Sequence, residues 1–458
     1  MEGGHQPSAV AVIRASLKSP NLVLRGFIFQ FPSTLRGIMI TKKLLEQEVF
    51  SIKMESSTLI YAPLTRYFTL YDGLVTLSDV ETEWLQEAMN PANVPAFIHD
   101  KGFVYDQEKI RLRLNITNNC NLRCSYCSVN AGMGAKDMPE DVARNTMRYF
   151  SDIAKRNGAK ELEVVFSGGE PTLRIPLIEQ VILLGETELK GSGVRLSPRL
   201  LTNGVFSIKN FTSLTALIKE VQVSWDGFLN KNLRYGLNSK IANEVWDNIG
   251  FLVSQGIQVS ILIVVSAENY LHIRGIVDQI YDYGVRNIFL SLEENLGRAS
   301  GRITGIDYMQ LGKIYIDIWK DYRARGVDIN LTGTDVHSVS PFPCSVPIPN
   351  YSVAPDGTVS ACTITFNDSD ELADVFKIGS VREQGIFLDN NAIDRVREFH
   401  ILNIKECSKC FAKWHCRGGC IYAKHGDWFK SLPADRCKMV QNVVQEKLIA
   451  VISENERT

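Results

Sequence analysis

The spacing of the cysteines constrains this chain more than any other feature of its sequence. Its 458 residues contain ten cysteines, with none before Cys120 and none between residues 128 and 343. Three of them stand close together, as Cys120, Cys124 and Cys127. The other seven come much later: Cys344, Cys362, Cys407, Cys410, Cys416, Cys420 and Cys437. Ten unrelated buried thiols would rarely divide into a tight triplet and one distal group, so the pattern predicts metal ligands.

Composition and charge describe an ordinary globular chain. Hydrophobic residues make up 45% of the sequence, and 50 basic side chains are balanced by 51 acidic ones. Because this balance offers no polyanion-binding surface, we expect neither a nucleic acid partner nor a membrane partner. We find no signal peptide, and the apolar stretch 259–265 is too short to span a bilayer. We therefore expect a cytoplasmic protein, whose reducing surroundings disfavour disulfides.

Strand and helix patterns alternate from about residue 108 and predict an α/β core. The predicted strands are 110–117, 161–167, 195–201, 219–225, 257–265 and 287–292. The predicted helices are 138–157, 175–188, 238–254 and 270–284. Strands separated by helices form parallel sheets, so we expect a partial (β/α)6 barrel over residues 108–305. Chemistry in such barrels lies at the carboxyl ends of the strands.

Smaller units are predicted on both sides of this core. Residues 1–107 contain no cysteine and predict a small α+β, winged-helix-like module. Its expected strands are 22–30, 58–62 and 67–77, and its expected helices are 34–48 and 79–89, the second capped by Ser78. After the barrel we expect a connector at 306–343 with a helix at 306–325, a cysteine-rich domain at 344–440, and a C-terminal helix or tail at 441–458.

The triplet follows directly after the predicted strand that ends at Thr117. Three thiolates on one short loop can each bind one iron of a four-iron cluster and leave the fourth iron open. An open iron accepts a bidentate ligand such as an amino acid. A zinc site would need a fourth ligand nearby, and the nearest histidine is His99, before the strand.

A second motif, Ser167-Gly168-Gly169-Glu170-Pro171, stands at the end of the second predicted strand. Two glycines allow a backbone to approach a ligand closely, and the carboxylate of Glu170 could accept hydrogen bonds from an ammonium group. Such a turn is common, so it carries little weight alone. Together with the triplet one βα unit earlier, it becomes specific.

The sequence CNLRCSYC followed by FSGGEPTL resembles the radical S-adenosylmethionine (SAM) superfamily. Three further segments match that family just beyond later predicted strands: 202–204 (TNG), 224–227 (SWDG) and 297–299 (GRA). The resemblance covers about residues 110–300. It implies a SAM-cleaving enzyme in which Cys120, Cys124 and Cys127 hold the cluster that binds SAM.

The same resemblance implies which residues contact SAM. Gly168, Gly169 and Glu170 would orient its amino group. Ser224 and Arg234 would contact its carboxylate. The other expected cofactor-binding residues are Thr202, Asn203, Tyr126 near the adenine, and Leu296 within the 296–298 backbone. Asp226 is expected to be a turn or cap residue rather than a base, and no catalytic acid or base is assigned.

The distal cysteines resemble the SPASM extension of radical SAM enzymes, which holds two auxiliary four-iron clusters. By that resemblance the outer cluster would be held by Cys407, Cys410, Cys416 and Cys437. The inner cluster would be held by Cys344, Cys362 and Cys420. A pair of zinc sites is the alternative. His415, inside this region, is expected to be structural rather than a cluster-tuning group.

The inner set has one cysteine fewer than many members of the family. The missing residue would stand near Pro349 or Asn350. We therefore expect an open iron, or a non-cysteine ligand from the protein or the substrate. An open iron would suit a substrate thiolate, because iron–sulfur sites favour sulfur.

The resemblance implies oxidative modification of a ribosomally made peptide by hydrogen abstraction and crosslinking, through a thioether or a carbon–carbon bond. The expected partners are a precursor peptide, its leader bound by the N-terminal module at a sheet edge, and an electron donor such as flavodoxin or ferredoxin. In sulfatase-maturating relatives an Asp follows the cysteine that corresponds to Cys362. Thr363 stands there in this chain. A dehydrogenase acting on a small molecule or a protein Cys or Ser, and a non-catalytic electron carrier, remain alternatives.

Overall fold

The structure is a computed structural model. It describes residues 15–16, 45, 47–90, 94, 98–99, 102–103, 108–134, 136–228, 234, 239–301, 305–344, 350–365, 370–383, 385–424 and 426–455. The predicted strand at 22–30 and most of the predicted helix at 34–48 lie outside these residues, as does Pro349.

The first sheet has four antiparallel strands in the order β1-β4-β3-β2. The strands are β1 (Ala15–Ser16), β2 (Phe50–Lys53), β3 (Ser57–Ala62) and β4 (Tyr67–Asp72). Helix α1 (Thr82–Ala88) follows them. This confirms the predicted strand at 58–62, the first part of the strand at 67–77 and the helix at 79–89. The prediction of Ser78 as its cap is wrong, because Ser78 lies in a separate 3-10 helix, Leu77–Asp79, and α1 begins only after Glu81.

Alternation along β3 gives this sheet two apolar faces. Ile60 packs with Trp84 and Ala88 of α1 in a small core of its own. Leu59 and Tyr61 point the other way and join the main core of the protein. A short two-stranded ribbon, β5 (Ile98–His99) and β6 (Gly102–Phe103), follows.

The central sheet has eleven strands in the order β13-β12-β11-β10-β9-β8-β7-β14-β15-β16-β17. Its first seven in chain order are β7 (Lys109–Thr117), β8 (Glu161–Gly168), β9 (Arg195–Thr202), β10 (Glu220–Ser224), β11 (Gln258–Val265), β12 (Asn287–Leu292) and β13 (Asp328–Leu331). Neighbouring strands in this run are parallel. All six predicted strands are present, and β13 is a seventh that the sequence patterns did not reveal.

Helices connect these strands and cover one face of the sheet. They are α2 (Glu140–Arg156), α3 (Ile175–Leu189), the short α4 (Ile208–Phe211), α5 (Ser239–Ser254), α6 (Ile273–Asp282) and α7 (Tyr308–Arg323). In α2, acidic residues occupy the first turn and basic residues the last, which complements the helix dipole. Its buried residues recur at helical spacing, among them Ala143, Met147, Phe150 and Ala154. This apolar stripe packs against the sheet as part of the main core.

The C-terminal region continues the same sheet on the other side of β7. Strand β14 (Asn350–Val353) pairs parallel with β7, and β15 (Thr358–Ser360), β16 (Lys377–Arg382) and β17 (Gly385–Leu388) add antiparallel strands. The remaining helices are α8 (Ala373–Phe376), α9 (Asn390–Arg397), α10 (Lys413–Cys416) and α11 (Ala434–Asn455). In the described strands β13 and β17 form the two ends of the order, so the sheet is open rather than a closed barrel. The expected α/β fold is confirmed.

Helix α11 lies against α7, which is the helix predicted at 306–325. A Cβ atom on Gly312 of α7 would stand 3.1 Å from Cγ of Met439, so the glycine allows the two helices to approach closely. Across the described part of the chain, no helix combines the length and the apolar character needed to span a lipid bilayer.

Candidate functional site

The cysteine triplet lies on the loop that leaves the carboxyl end of β7. The backbone N–H of Cys127 donates to the carbonyl of Cys124 at 3.2 Å, which folds the loop into a turn. Burial raises the pKa of the Cys120 thiol to about 11, and the nearby charges of Glu170, Cys124 and Cys127 raise it further. The three side chains therefore lie within electrostatic reach of one another. All three are half-buried, so each retains an accessible surface.

The Gly-Gly turn after β8 is packed against the residues that precede this loop. Gly169 N–H donates to the carbonyl of Thr117 at 2.7 Å, and Glu170 N–H donates to that of Asn119 at 2.8 Å. A Cβ atom on Gly168 would lie 2.3 Å from the Thr117 oxygen, and one on Gly169 only 2.0 Å from the Asn119 oxygen. Gly168 also has a φ of +131°, which L side chains rarely adopt. Both glycines are therefore required for the close approach of two backbones.

Glu170 is fully buried, and its carboxylate is bound by the protein itself. It accepts hydrogen bonds from Thr172 N–H at 3.1 Å and from the Thr172 hydroxyl at 2.7 Å. The Thr202 hydroxyl donates at 2.8 Å and Asn203 N–H at 2.7 Å. Burial raises its pKa although these hydrogen bonds oppose the shift. Glu170 therefore joins the end of β8 to the end of β9. Its expected contact with the amino group of SAM stays a prediction.

Asn203 brings the end of β9 to the triplet. Its side-chain amide donates to the Asn121 side chain at 2.8 Å and lies 3.6 Å from the sulfur of Cys120. Thr202 and Asn203 are both buried. The Thr-Asn-Gly segment thus contacts the cysteine loop directly, one strand beyond Glu170.

The segment after β12 holds the other side of the loop. Arg298 N–H donates to the carbonyl of Cys127 at 3.0 Å, and its side chain donates to the carbonyl of Cys124 at 2.7 Å. A Cβ atom on Gly297 would stand 2.3 Å from the Cys127 oxygen. Leu296 is buried in the main core, and its expected contact with SAM stays a prediction.

Tyr126, Asp226 and Arg234 form a buried group beneath the triplet. The Tyr126 hydroxyl donates to Asp226. The Arg234 guanidinium donates to the same carboxylate at 2.9 Å, and Val264 N–H donates to it at 2.8 Å. From the sequence, Asp226 is expected to be a turn or cap residue, and the expected contact of Arg234 with the SAM carboxylate stays a prediction. In the structure they form an ion pair that connects β10 and β11 with the cysteine loop. Ser224, by contrast, ends β10 with part of its surface accessible.

The distal cysteines approach each other in two groups. Cys407 is affected by the charges of Cys416, Cys410 and Cys437, and burial is the main reason that its pKa rises to about 12. Burial is also the main reason that the pKa of the Cys362 thiol is raised, and the nearby charges of Cys344 and Cys420 raise it further. Thiols of this kind stay protonated at neutral pH until a metal displaces the proton. These groups coincide with the outer and inner sets that the sequence resemblance implies.

The outer group also has a polar partner that the sequence did not reveal. The side-chain amide of Gln441 on α11 donates to the sulfur of Cys410 at 3.3 Å. Near Cys437 on the same helix, Arg436 forms a two-pronged ion pair with Glu294, at 3.0 and 2.7 Å. Glu294 follows β12, so this ion pair connects the outer cysteine group to the carboxyl end of that strand.

No three His, Cys, Asp or Glu side chains in the described residues are arranged as ligands of one metal ion. A four-iron cluster imposes a different arrangement, because each thiolate binds a different iron. Asn350, one expected position of the missing inner ligand, lies in β14 opposite Arg111 of β7. Among the described residues the three inner thiols lie within electrostatic reach of one another, and the identity of a fourth ligand stays a prediction.

The N-terminal sheet contacts the outer cysteine group. The Tyr61 hydroxyl and Nε2 of His415 are 2.6 Å apart, and Nδ1 of His415 lies 2.8 Å from the carbonyl of Asp335. Lys413 and Trp414 both bind the buried carboxylate of Glu48, at 2.5 and 2.7 Å. His415 is therefore a buried structural histidine, and burial lowers its pKa to about 4.

Residues 114–294 match the model of the radical SAM superfamily. This is a radical SAM domain. The donor set described above lies within the matched residues: three partly accessible thiols on one loop, with the Gly-Gly turn packed against it. Residues 114–294 are thus a radical SAM domain, and the thiols of the Cys120 loop within it are the residues that would hold a four-iron cluster.

Curated relatives match parts of this chain at low sequence identity. An uncharacterized protein of Methanocaldococcus jannaschii, MJ0907, is 28% identical over 184 residues, or 40% of this chain and 62% of its own length. The chain therefore spans less than two thirds of that relative. A serine-type anaerobic sulfatase-maturating enzyme of Klebsiella aerogenes is 24% identical over 66% of this chain and 76% of that enzyme.

Two solved structures share the fold beyond the radical SAM domain. Native anSMEcpe with bound AdoMet and Kp18Cys peptide superposes with a TM-score of 0.61 at 18% identity, over 76% of this chain and 99% of that one. Streptococcus suis SuiB bound to precursor peptide SuiA superposes with a TM-score of 0.51 at 17% identity, over 80% of this chain and 82% of that one. At these identities the likeness concerns the fold alone.

Proposed function

We propose that this protein oxidatively modifies a ribosomally made peptide by hydrogen abstraction and crosslinking, through a thioether or a carbon–carbon bond. The observation that carries the proposal is the grouping of seven distal cysteines into sets of four and three beside a radical SAM domain. Two auxiliary clusters at these sets would accept the second electron that an oxidative crosslink releases. SAM and three four-iron clusters are therefore the cofactors we propose.

A four-iron cluster bound at the Cys120 loop would supply, when reduced, the cleavage of SAM to methionine and a 5′-deoxyadenosyl radical. The residues of this chain position and shield that site. Glu170, Asn203 and Arg298 fix the cysteine loop from β8, β9 and the segment after β12. Ser224 and the accessible faces of the glycine turn remain available for the polar groups of SAM.

A peptide substrate is supported by the neighbours and by the N-terminal sheet. Two proteins of the same fold are described with bound peptides, Kp18Cys in one and the precursor SuiA in the other. In this chain β2 stands at the end of the sheet order β1-β4-β3-β2, so one of its edges has no strand beside it among the described residues. We propose that a precursor leader pairs there as an added strand. Flavodoxin or ferredoxin as the electron donor, and a cytoplasmic location, belong to the same proposal.

Oxidation of a protein Cys or Ser, as in sulfatase maturation, is the second candidate. It is favoured by the Klebsiella relative and by the fold shared with anSMEcpe. Thr363 argues against sulfatase-type oxidation, because this residue, which follows Cys362, supplies no carboxylate base.

Co-expression separates these candidates. The protein would be produced anaerobically with the short peptide encoded nearest to its gene, with Cys124→Ala as the control, and the peptide weighed by mass spectrometry. Crosslinking predicts loss of a pair of hydrogen atoms only with the intact triplet, and no reaction with a hydrazide. A hydrazide-reactive product would show an aldehyde and favour the second candidate. An unchanged peptide would reject that substrate.

A further inference from the structure

Helix α11 presents two side chains to the outer cysteine group. Cys437 and Gln441 stand four positions apart on this helix, so they lie on one face of it, one turn from each other. The side-chain amide of Gln441 donates to the sulfur of Cys410 at 3.3 Å. One face of α11 therefore supplies a thiol of the outer group and also contacts a second thiol that comes from another segment.

The segment that carries Cys410 is held in place by its own backbone. Cys410 N–H donates to the carbonyl of Cys407 at 3.1 Å, and Lys413 N–H donates to the carbonyl of Cys410 at 3.3 Å. Lys413 begins α10, which ends at Cys416. Two hydrogen bonds thus fix the backbone of Cys410 between two other members of the group, while Gln441 approaches its sulfur from α11.

The direction of the contact between Gln441 and Cys410 follows from chemistry. A thiolate sulfur only accepts hydrogen bonds, so the NH2 end of the amide faces a metal-binding thiolate. Among the described side chains, Gln441 is the one that donates to a sulfur of the outer group. Arg436, beside Cys437, is instead paired with Glu294. The outer sulfurs therefore have one neutral side-chain donor, and it acts on a single thiolate.

A hydrogen bond to a ligand sulfur changes the energy of cluster reduction. One electron enters the cluster and adds one negative charge, part of which lies on the sulfurs, and no bond is formed or broken. A donor stabilises the more negative state more strongly, because hydrogen bonds to charged acceptors are the stronger ones. Hydrogen bonds to the sulfurs are accordingly among the features that set the potential of an iron–sulfur cluster.

We propose that Gln441 raises the reduction potential of a cluster held by the outer cysteine group, by donating to the Cys410 thiolate. The assignment rests on the proposed function, which places a four-iron cluster at this group, and adds to it the residue that favours uptake of an electron there. Because Gln441 acts through Cys410, it is a positioning residue and not a catalytic one. Both side chains keep part of their surface accessible, so position 441 can be substituted without opening the core.

The test is a redox titration of the full-length, anaerobically reconstituted protein, followed by electron paramagnetic resonance. The cysteines of the triplet, Cys120, Cys124 and Cys127, are replaced by alanine, so that only the distal cysteines hold iron. In this background Cys410→Ala identifies the outer cluster, since the signal that it removes or alters belongs to that cluster.

Four variants in the same background test the hydrogen bond. Gln441→Leu removes the donor at similar size and should lower the equilibrium constant for reduction roughly tenfold, or about 59 mV for one electron. Gln441→Lys keeps a donor and adds a positive charge, so its potential should equal or exceed that of Gln441. Gln441→Glu places a carboxylate beside the thiolate and should give the lowest potential. Asn442→Leu, at the exposed next position of α11, is the control and should leave the potential unchanged.

Equal outer-cluster potentials in Gln441→Leu and Asn442→Leu would overturn the proposal. A shift of the Lys and Glu variants in the same direction would also overturn it, because packing alone would then explain the effect. Failure of the proposed function gives a different result. The protein with its seven distal cysteines would then bind no four-iron cluster, or Cys410→Ala would leave its iron content and spectrum unchanged, and both proposals would be rejected.

Discussion

The side chain of Arg298 donates through Nε to the backbone carbonyl of Cys124 at 2.7 Å. A second bond, from Nη1 to the carbonyl of Ala131 at 2.9 Å, spans the rest of the loop. One residue from the segment after β12 thereby fixes the loop that follows β7, a strand five places away in the sheet order.

Arg298→Gln should therefore loosen the cysteine loop. Loss of two hydrogen bonds from a cation should cost about 3 kcal/mol of loop stability. We expect less iron at the Cys120 loop after reconstitution, and a smaller change in the electron paramagnetic resonance spectrum when SAM is added. Arg274→Gln is the matched control, because its ion pair with Asp321 is exposed on both sides, at 44% and 49%. An equal loss in both variants would contradict this role.

Gly169→Ala should prevent assembly of the same cluster. Its Cβ atom would lie 2.0 Å from the Asn119 oxygen, so the backbone before Cys120 must move. Iron bound per chain, compared with a variant lacking all three triplet cysteines, measures the effect. Gly275→Ala on α6 has no atom within 4 Å of its Cβ and should be neutral or slightly stabilising. Full iron content in Gly169→Ala would show that the close approach is not required.

Glu170→Gln replaces a carboxylate that accepts from four donors with an amide that carries donors of its own. At least one backbone N–H, of Thr172 or Asn203, would then face the new NH2 group. A buried mismatch of this kind costs about 2 kcal/mol, so we expect a lower unfolding temperature and weaker SAM binding. Glu186→Gln, at an exposed position of α3, serves as the control. If only SAM binding falls and the unfolding temperature is unchanged, Glu170 would touch the ligand rather than position the loop.

Much of this organisation follows from the sequence because it is local. The six strands and the helices between them were predicted from apolar periodicity, which each segment carries in its own residues. The triplet and the Gly-Gly-Glu turn are also local, since a few consecutive positions define them. Strands β13 to β17 were not predicted, because they are short and owe their stability to partners far along the chain, such as β7 for β14.

Roles that depend on distant partners could not be predicted from the sequence. Nothing local to Glu170 shows that Thr202 and Asn203 occupy its carboxylate. Nothing near Arg234 indicates that Asp226 holds its guanidinium. The contact between Tyr61 and His415 joins residues 354 positions apart. In each case the sequence shows a polar or charged residue, but the role of that residue depends on which distant group the fold places beside it.

The buried contact between Glu48 and Lys413 should stabilise the attachment of the N-terminal sheet to the outer cysteine group. Both side chains are about 3% exposed. Glu48→Gln would leave the Lys413 ammonium buried without a counter-charge, at a cost of about 3 kcal/mol. We expect a lower unfolding temperature and less iron at the outer cysteine group. Glu55→Gln, an exposed carboxylate in the turn between β2 and β3, should change neither. Equal stability of the two variants would contradict the assignment.

Lys447 should make the free energy of unfolding depend on pH between about 7 and 10. Burial lowers the pKa of its ammonium from 10.5 to about 7. Between those values the folded protein holds fewer protons at this site than the unfolded chain, so stability rises with pH, by up to about 1.4 kcal/mol per pH unit. Below the folded pKa both states are protonated and the slope disappears. Lys447→Met lacks this slope, so the unfolding temperature of wild type relative to the variant should increase from about pH 7 to about pH 10. A constant difference would show that the lysine stays charged.

Formation of 5′-deoxyadenosine from SAM by the anaerobically reconstituted, dithionite-reduced protein tests the central claim most directly. The Cys120 loop predicts that wild type forms 5′-deoxyadenosine and that Cys124→Ala, with all seven distal cysteines intact, forms none. Absence of the product from fully reconstituted wild type, or its undiminished formation by Cys124→Ala, would contradict a radical SAM site at this loop.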